Sequence, residues 1–507
     1  MAERWVRFED SHVLVVEKPA GVNTHRADTH AQEGMYEWVQ RQRPGTSLSI
    51  LHRLDKATSG VLLFGKTAEA NRSLAVQFEN GSVEKRYELL VRGGRRAPSL
   101  QCDRPIDGKP ASTSFSRVAG GRVNQRYEAV PRTGRTHQVR VHAASLGMPV
   151  VGDGEHGGPA GPRLFLHAAH LGFAHPGGAA VSVTAERPAS FDRAIDGAMT
   201  PALGALTARE ARELLFDPAD TDAWLWIDRH HDGFPGVRVE RLGDVALAVT
   251  AGEEPVPDAW VDAWREVGGV TSVYEQRRVP GGGPPAALRS GPAAPRPVVT
   301  ELGLRYQLDL GASTTSTGLF LDQRETRRRL LASDLAGRTV LNVFAHTGSL
   351  SVAAAAAGAE TLSIDLGRRW LDWAADNMRL NDIDPADHDF VHGDAAEWMD
   401  RLARKGRTFD FVLVDPPSTS TTGTRGSKRF TVDRDLGALV GRAVRLCAPG
   451  GTVFVSTNLA RMGWAKFLAH LGARDQGELE TATVPLDHRT GPGDPPYLKA
   501  AWFTVDG

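Results

Sequence analysis

Residues 52–60 read HRLDKATSG, which sets one carboxylate, Asp55, between Arg53 and Lys56 with two hydroxyls and a glycine close behind. Such an acid has two readings: a solvated ion pair at a turn, or a carboxylate held ionised for general-base or nucleophilic chemistry. The stretch runs straight into VLLFGKT, so Asp55 sits on a loop feeding a strand, where functional groups are commonly displayed. Basic side chains gather downstream, in EKRYELLVRG (84–93) and RTGRTHQVRVHAASLGMPVVGD (132–153). The alternating arginines and histidines of that second run, in a strand-to-helix context, fit an RNA-facing strand edge or a polar sheet face. A second set of acids lies far along the chain. Asp365 ends TLSID after the glycine turn at Gly348, Asp394 ends FVHGD, and Asp415 ends FVLVD. Acids at successive strand ends suit a ribose or other polar ligand at the carboxyl edge of an open sheet. Only Gly348 remains of a full GxGxxG turn, so by itself this pattern describes a tightly packed corner equally well.

These residues need two kinds of scaffold. The N-terminal part alternates as short strands (HVLVVEK, VLLFGKT, RYELLVRG, STSFSRV, NQRYEAV) with few helices, which predicts a mixed, largely antiparallel sheet. From about 338 the pattern becomes strand (TVLNVF), small-residue helix (SLSVAAAAAGA), strand (TLSI), helix (RRWLDWAADNMRLN) and strand (FDFVLVD). That alternation predicts a doubly wound parallel sheet. Two stretches read as joints: 186–210, and RVPGGGPPAALRSGPAAPRPVV at 278–299, whose Pro, Gly and Ala content predicts no regular element. Between them lies a small α+β segment in which Gly243-Asp244 predicts a hairpin turn. The expected domains are 1–195, 205–298 and 299–507, in a mixed α/β and α+β multidomain chain.

Composition limits the alternatives. The chain has 507 residues, enough for about three domains, and only two cysteines, Cys102 and Cys447, with no CxxC or Cys/His spacing. That excludes a disulfide framework and an obvious zinc site, and suits a reducing, cytoplasmic location. The N-terminus lacks the apolar run of a signal peptide, and no stretch of about 18 apolar residues would span a membrane. The net charge of −1 hides an asymmetry: residues 1–195 hold 26 Lys and Arg against 19 Asp and Glu, and the remainder reverses the sign. Such a split can mark a part that faces nucleic acid, or simply a solvated surface.

Six ordered strings of residues 5–185 resemble the RluA-type pseudouridine synthases: RFEDSHVLVVEKPAGVNTH, HRLDKATSG, EKRYELLV, GKPASTSF, RTGRTHQVRVH and RLFLHAAHLGFAHP. The resemblance implies that Asp55 is the catalytic carboxylate acting on the ribose of a flipped-out uridine, by attack on a sugar carbon or by removal of a sugar proton. Both routes need Asp55 ionised, and a nearby guanidinium favours that form. By motif position, Arg140 is the expected partner, with Arg135 the fallback. Tyr87 takes the place of the tyrosine that stacks on the base and can relay the carbon-5 proton. Arg53 matches the arginine that fills the space left by the extruded base. The resemblance implies no metal and no cofactor for this isomerisation. Residues 1–10 leave no room for an S4-type RNA-binding domain.

The second half, from about 220 to 505, resembles the class I S-adenosylmethionine-dependent methyltransferases, and within them the RlmI and RlmK group that modifies large-subunit ribosomal RNA. The strings are DGFPGVRVERLGDVALAV, TSTGLFLDQRETRR, LNVFAHTGSLSV, LDWAADNMRLN, VDPPSTS and PYLKAAWF. The resemblance implies an S-adenosylmethionine site made by Asn342, Phe344, Thr347, Gly348, Asp365, Asp394 and Asp415, with Arg324 as a further contact. Relatives that methylate carbon-5 of cytosine keep a cysteine after the strand that here reads GTVFVSTNLARM, because that carbon needs a thiolate adduct. Ser456, Thr457 and Asn458 stand there instead. The Ser-x-Asn pattern resembles the relatives that methylate guanine nitrogen-7, whose lone pair needs only alignment. Cys447 reads as a small buried apolar residue.

Together these features predict a bifunctional RNA-modifying enzyme acting on ribosomal RNA, with transfer RNA open. Two alternatives stay beside it. In one, the methyltransferase-like domain is inactive and serves as an RNA-binding or ribosome-assembly module. In the other, the N-terminal domain only docks RNA. The modified nucleotides and the oligomeric state are not encoded in these patterns.

Overall fold

The computed structural model describes residues 3–506 apart from 93–96, 198, 253, 279–283, 312–315, 421–429, 473–478 and 492–496. Part of the Pro/Gly-rich joint, Thr315 at the head of TSTGLFLDQRETRR and Pro496 at the head of PYLKAAWF therefore lie outside the described residues.

The N-terminal strands form one ten-stranded sheet, whose middle runs Val13–Lys18, Ser59–Gly65, Leu166–Ala174, Glu84–Arg92, Asn124–Pro131 and Thr113–Gly120. All neighbours along this path are antiparallel except Ser59–Gly65 beside Leu166–Ala174. That parallel contact explains the glycine that closes HRLDKATSG. Gly60 has φ +118°, and a Cβ there would lie 2.2 Å from the Ala168 carbonyl oxygen. Only glycine lets the two strands meet at the end of the Asp55 loop.

The run HQVRVHAAS falls on the helix side of the strand-to-helix context read for it, so its alternation marks no strand edge. Gln138–Ser145 is a helix, and His142 is fully buried, bonded to Thr113 Oγ1 and the Arg104 carbonyl at 2.9 Å each. Its period serves packing across the helix, with His137 and Arg140 left near one end.

The central segment is a five-stranded sheet, Ala223–Asp228, Val237–Leu242, Val245–Thr250, Ser272–Arg277 and Ala287–Ser290 in spatial order, with helices Pro201–Glu213 and Asp258–Gly268. Gly243-Asp244 makes the predicted two-residue turn, with Gly243 at φ +62°. The fifth strand overturns the expectation that 278–299 holds no regular element. Ala287–Ser290 pairs with Ser272–Arg277, and Arg289 binds Glu275 and the Val256 carbonyl. The partner strand supplies the order that these residues lack by themselves. One apolar core joins this segment to the N-terminal sheet, running from Trp5, Leu62 and Phe64 to Trp226, Trp264 and Val273.

The C-terminal sheet has seven strands in the order Asp389–His392, Glu360–Asp365, Thr339–Val343, Phe409–Val414, Cys447–Thr457, Lys499–Thr504 and Glu480–Ala482. The first five are parallel and Lys499–Thr504 is antiparallel to its neighbours. Strand order reverses between Thr339–Val343 and Phe409–Val414, which opens a crevice at their carboxyl ends. No described helix is long and apolar enough to cross a membrane.

Candidate active sites

The loop between Ser49–Ile50 and Ser59–Gly65 carries Asp55, and its backbone is pinned on both sides. Thr24 Oγ1 donates to the Leu54 carbonyl at 2.9 Å and accepts from the Leu54 amide at 3.1 Å. The Gly21 amide donates to the Lys56 carbonyl at 2.7 Å. Behind the loop the fully buried Lys18 donates to the Val22 carbonyl at 2.7 Å, and burial holds its amine well below the ordinary value although Asp55 favours the charge.

Asp55 faces a cavity of about 1020 Å³, lined also by His52, Arg53, Lys85, Tyr87, Arg135, His137 and Arg140. Arg140 Nη1 stands 3.5 Å from Asp55 Oδ2. Its other nitrogens are fixed: Nε and Nη2 grip the buried Asp153 at 2.8 and 2.6 Å, and Nη2 also reaches Glu155 at 2.9 Å. Burial would raise the Asp153 carboxyl, and the Arg140 guanidinium overrides it and holds the group below its ordinary value. Arg140, not Arg135, is therefore the ion-pair partner; Arg135 Nε is spent on the Pro110 carbonyl at 3.2 Å. Burial, with the Asp55 charge adding, pushes the Tyr87 hydroxyl above its ordinary range, so it stays protonated. Arg53 is exposed at the rim. Burial and then Lys85 push His52 down to about 3, where its Nε2 accepts from the Leu63 amide at 3.0 Å.

His137 escaped the sequence reading. It heads the helix Gln138–Ser145 with φ 53°, a left-handed conformation uncommon for a residue with a side chain, and its Nε2 lies 3.8 Å from Asp55 Oδ1. Its position two residues after Arg135 was visible in the string; its backbone was not.

The second cavity, of about 690 Å³, opens at the reversal of strand order and is lined by Asn342, Phe344, Asp365, Asp394 and Asp415, with Phe320, His346, Trp370, Phe430 and Asn458. Both Phe344 (φ 62°) and His346 (φ 49°) are left-handed, so the turn between Val343 and the helix Ser349–Ala356 carries strain at the cavity wall. The Asp365 carboxylate shapes that turn: Oδ2 accepts from the His346 amide and Oδ1 from the Gly367 amide, each at 2.8 Å. Each oxygen keeps a further lone pair. Burial, then Arg369, pushes His346 down to about 4. Asp394 caps the helix Ala395–Arg404 by accepting from the Glu397 amide at 3.0 Å.

Three expected cofactor contacts stand elsewhere. Thr347 is buried and its hydroxyl donates to the Gly318 carbonyl, while Gly348 (φ 73°) begins the helix; both shape the turn without lining the cavity. Arg324 is a correction. Its guanidinium is wholly buried and bonded to Glu301 (3.0 Å), Asp487 (2.8 Å) and the Ala223 carbonyl (2.9 Å), which leaves it no reach into the cavity.

At the cavity's far side Ser456 Oγ donates to Asp415 Oδ1 at 2.5 Å and Gln323 Nε2 to Asp415 Oδ2 at 3.0 Å. Burial pushes Asp415 up to about 6, Asp322 adding to it while the Ser456 and Gln323 hydrogen bonds oppose it. Asn458 is exposed into the cavity and accepts from Ser418 Oγ at 2.9 Å. Neither cysteine lines this cavity; Cys447 begins its strand at the opposite end, and burial with Asp410 pushes its thiol up to about 12.

A strained glycine turn, an acid at the next strand end and a mixed polar and apolar cavity match what the adenosine and amino-acid ends of S-adenosylmethionine require. The residues present therefore fit that cofactor.

Comparison with known proteins assigns each half. Residues 12–145 match the family model for RNA pseudouridylate synthase, and residues 259–486 match that for S-adenosylmethionine-dependent methyltransferase. A ribosomal RNA large subunit methyltransferase K/L of Shewanella loihica is 36% identical over 197 residues, 38% of this chain and 27% of that protein. The chain thus spans about a quarter of the length of such K/L relatives. The Bacillus subtilis protein YwbD, named as a putative ribosomal RNA large subunit methyltransferase, is 30% identical over 297 residues, 56% of this chain and 74% of that protein. Among solved structures, a putative methyltransferase complexed with SAH superposes with a TM-score of 0.55 at 26% identity, covering 64% of this chain and 85% of that one.

Proposed function

Because the chain belongs to the S-adenosylmethionine-dependent methyltransferase family and carries an RNA pseudouridylate synthase domain ahead of it, we propose that it is a bifunctional RNA-modifying enzyme. Residues 1–195 isomerise uridine to pseudouridine and residues 299–507 methylate a base, with 205–298 as a small domain between them. Ribosomal RNA is the substrate, in keeping with the names of its relatives.

One observation carries the reading: Arg140, itself locked on Asp153, stands beside Asp55 inside a cavity that Tyr87 and Arg53 share. A uridine must leave its stack to enter, at a cost of roughly a few kcal/mol, and the exposed Arg53 fills the vacated space. Asp55 then attacks the anomeric carbon or removes the neighbouring sugar proton. In either route the glycosidic electron pair leaves with the uracil, which turns and bonds to the sugar through carbon-5 as the Asp55 ester bond breaks or the sugar proton returns. The carbon-5 proton then passes to solvent and nitrogen-1 takes one up. Arg140 is the ion-pair partner that positions the Asp55 carboxylate, and Tyr87 stacks on the base.

In the second cavity S-adenosylmethionine supplies the methyl group. Asp365 offers its free lone pairs to a ribose diol, and Phe344 and Phe430 line the apolar wall. Ser456 stands where carbon-5 chemistry on cytosine would need a thiolate, and its hydroxyl is already given to Asp415. The reading is therefore guanine nitrogen-7, which needs alignment alone, with Asn458 at the target's edge.

Tritium release from RNA labelled at uridine carbon-5 tests the first half: Asp55→Ala abolishes it with the fold intact, and release at the parent rate would overturn the assignment. Nucleoside analysis of ribosomal RNA from cells with and without the chain tests the second, the expected difference being 7-methylguanosine.

A further inference from the structure

Beside the first cavity, which His137 lines, three donors gather near the head of the helix Gln138–Ser145. His137 Nδ1 lies 3.2 Å from His156 Nε2 and 3.3 Å from Glu155 Oε1, and one ligand atom from each residue falls within 4.8 Å of the others. Two elements bring them together. The left-handed backbone of His137 turns its ring back from the head of its helix, and the short helix Gly154–His156 is capped by Asp153, which accepts from the His156 amide at 3.3 Å. We propose that His137, Glu155 and His156 bind one transition-metal ion of the zinc class.

Spacing supports this. Ligands about 2.1 Å from a tetrahedral ion lie roughly 3.4 Å apart, close to both contacts at His137 Nδ1. The donor set, two imidazole nitrogens and one carboxylate oxygen, suits zinc or cobalt and not a hard cation such as magnesium. Two of the three ligands also have a charged group behind them. Glu155 Oε2 is held by Arg140 at 2.9 Å, which leaves Oε1 toward His137. His137 Nε2 faces Asp55, and a carboxylate behind the second nitrogen is the usual support of a metal-bound histidine. Charge points the same way. The carboxylates of Asp55, Asp153 and Glu155 surround the guanidinium of Arg140, with Lys18 buried behind Asp55, so the cluster keeps a negative excess. A fourth position opens to solvent beside the half-exposed Glu155 side chain.

The site rests on these side chains and not on the isomerase reading, so metal binding is the readout. Chelator-stripped parent protein titrated with Co2+ develops the intense visible absorption of a tetrahedral site at one equivalent, and Zn2+ bleaches it. His156→Ala and Glu155→Gln, each with the circular dichroism of the parent, weaken Co2+ and Zn2+ by about tenfold or more, while His230→Ala leaves both unchanged. No tetrahedral band at saturating Co2+ would leave only a hydrogen bond between two imidazoles and overturn the proposal. So would equal affinity in parent and His156→Ala.

Discussion

Arg324 Nη1 donates to Asp487 Oδ1 at 2.8 Å, across 163 residues of chain and with both side chains sealed from solvent. The bond anchors a short segment that touches every part of the molecule. Asp487 Oδ2 accepts from the Leu225 amide in the central sheet at 2.8 Å, and the Asp487 carbonyl accepts from Arg212 at 3.3 Å. On either side, Gln32 donates to the Pro485 and His488 carbonyls at 2.7 and 2.6 Å, and Lys56 donates to the Thr490 carbonyl at 2.5 Å. Lys56 is the neighbour of Asp55, so the Asp55 loop and the methyltransferase fold share one strap.

Replacing Arg324 by Met should destabilise the protein by about 3–5 kcal/mol, because the buried Asp487 would lose its guanidinium partner and the buried Glu301 would keep only Arg327. Burial would raise Asp487, and Arg324 followed by His488 overrides it and holds the carboxyl well below its ordinary value. That stabilisation is present above the unfolded carboxyl range and fades as pH falls through the native value. Thermal unfolding of parent and variant checks the size. S-adenosylmethionine affinity of the folded variant should stay near the parent's; a large selective loss would restore Arg324 as a cofactor contact.

Asp153→Asn should slow pseudouridine formation roughly ten- to a hundredfold in kcat with little change in KM, the loss of a charged hydrogen-bond pair that aims Arg140. Single-turnover tritium release measures it. An unchanged rate would mean that Arg140 is aimed by Glu155 alone.

The sequence revealed most where local pattern and tertiary need agree. The strand and helix alternation after 338 reads correctly because Thr339–Val343, Glu360–Asp365 and Phe409–Val414 lie inside a parallel sheet with most of their side chains buried, and Gly243-Asp244 reads correctly because a tight turn demands a positive φ that glycine supplies. It misled where long-range partners decide. Ala287–Ser290 becomes a strand only through Ser272–Arg277, and HQVRVHAAS alternates like a strand while its buried His142 packs as a helix. Asp55, Tyr87 and Arg140 were legible because they lie in ordered strings. The Pro485–Thr490 strap and the His137–His156 contact join residues whose relation exists only after folding.

Asp365→Ala should weaken S-adenosylmethionine roughly ten- to a hundredfold, since it removes charge-assisted acceptors and frees the amides of His346 and Gly367 that hold the strained turn. Calorimetry on the full chain measures the affinity. Parent-like binding by the alanine variant would move the ribose contact to another acid of the cavity, Asp394 being the one at hand.

Asp415 gives the methyltransferase half a pH signature of the opposite sign to Asp487. Its native value of about 6 lies above the ordinary 3.8, so between those values the folded chain binds more protons at this site than the unfolded chain does. Stability contributed by the site therefore falls as pH rises through that window, by about 1–3 kcal/mol. Asp415→Asn keeps the shape and carries no charge, so it should gain thermal stability relative to the parent at pH 7.5 and show no such gain near pH 4. The Ser456 hydroxyl, which donates to the carboxylate at 2.5 Å, can turn to serve the amide. A stability difference between the two proteins that is the same at both pH values would show that Asp415 is ionised across the range and that its burial is offset in full by Ser456 and Gln323.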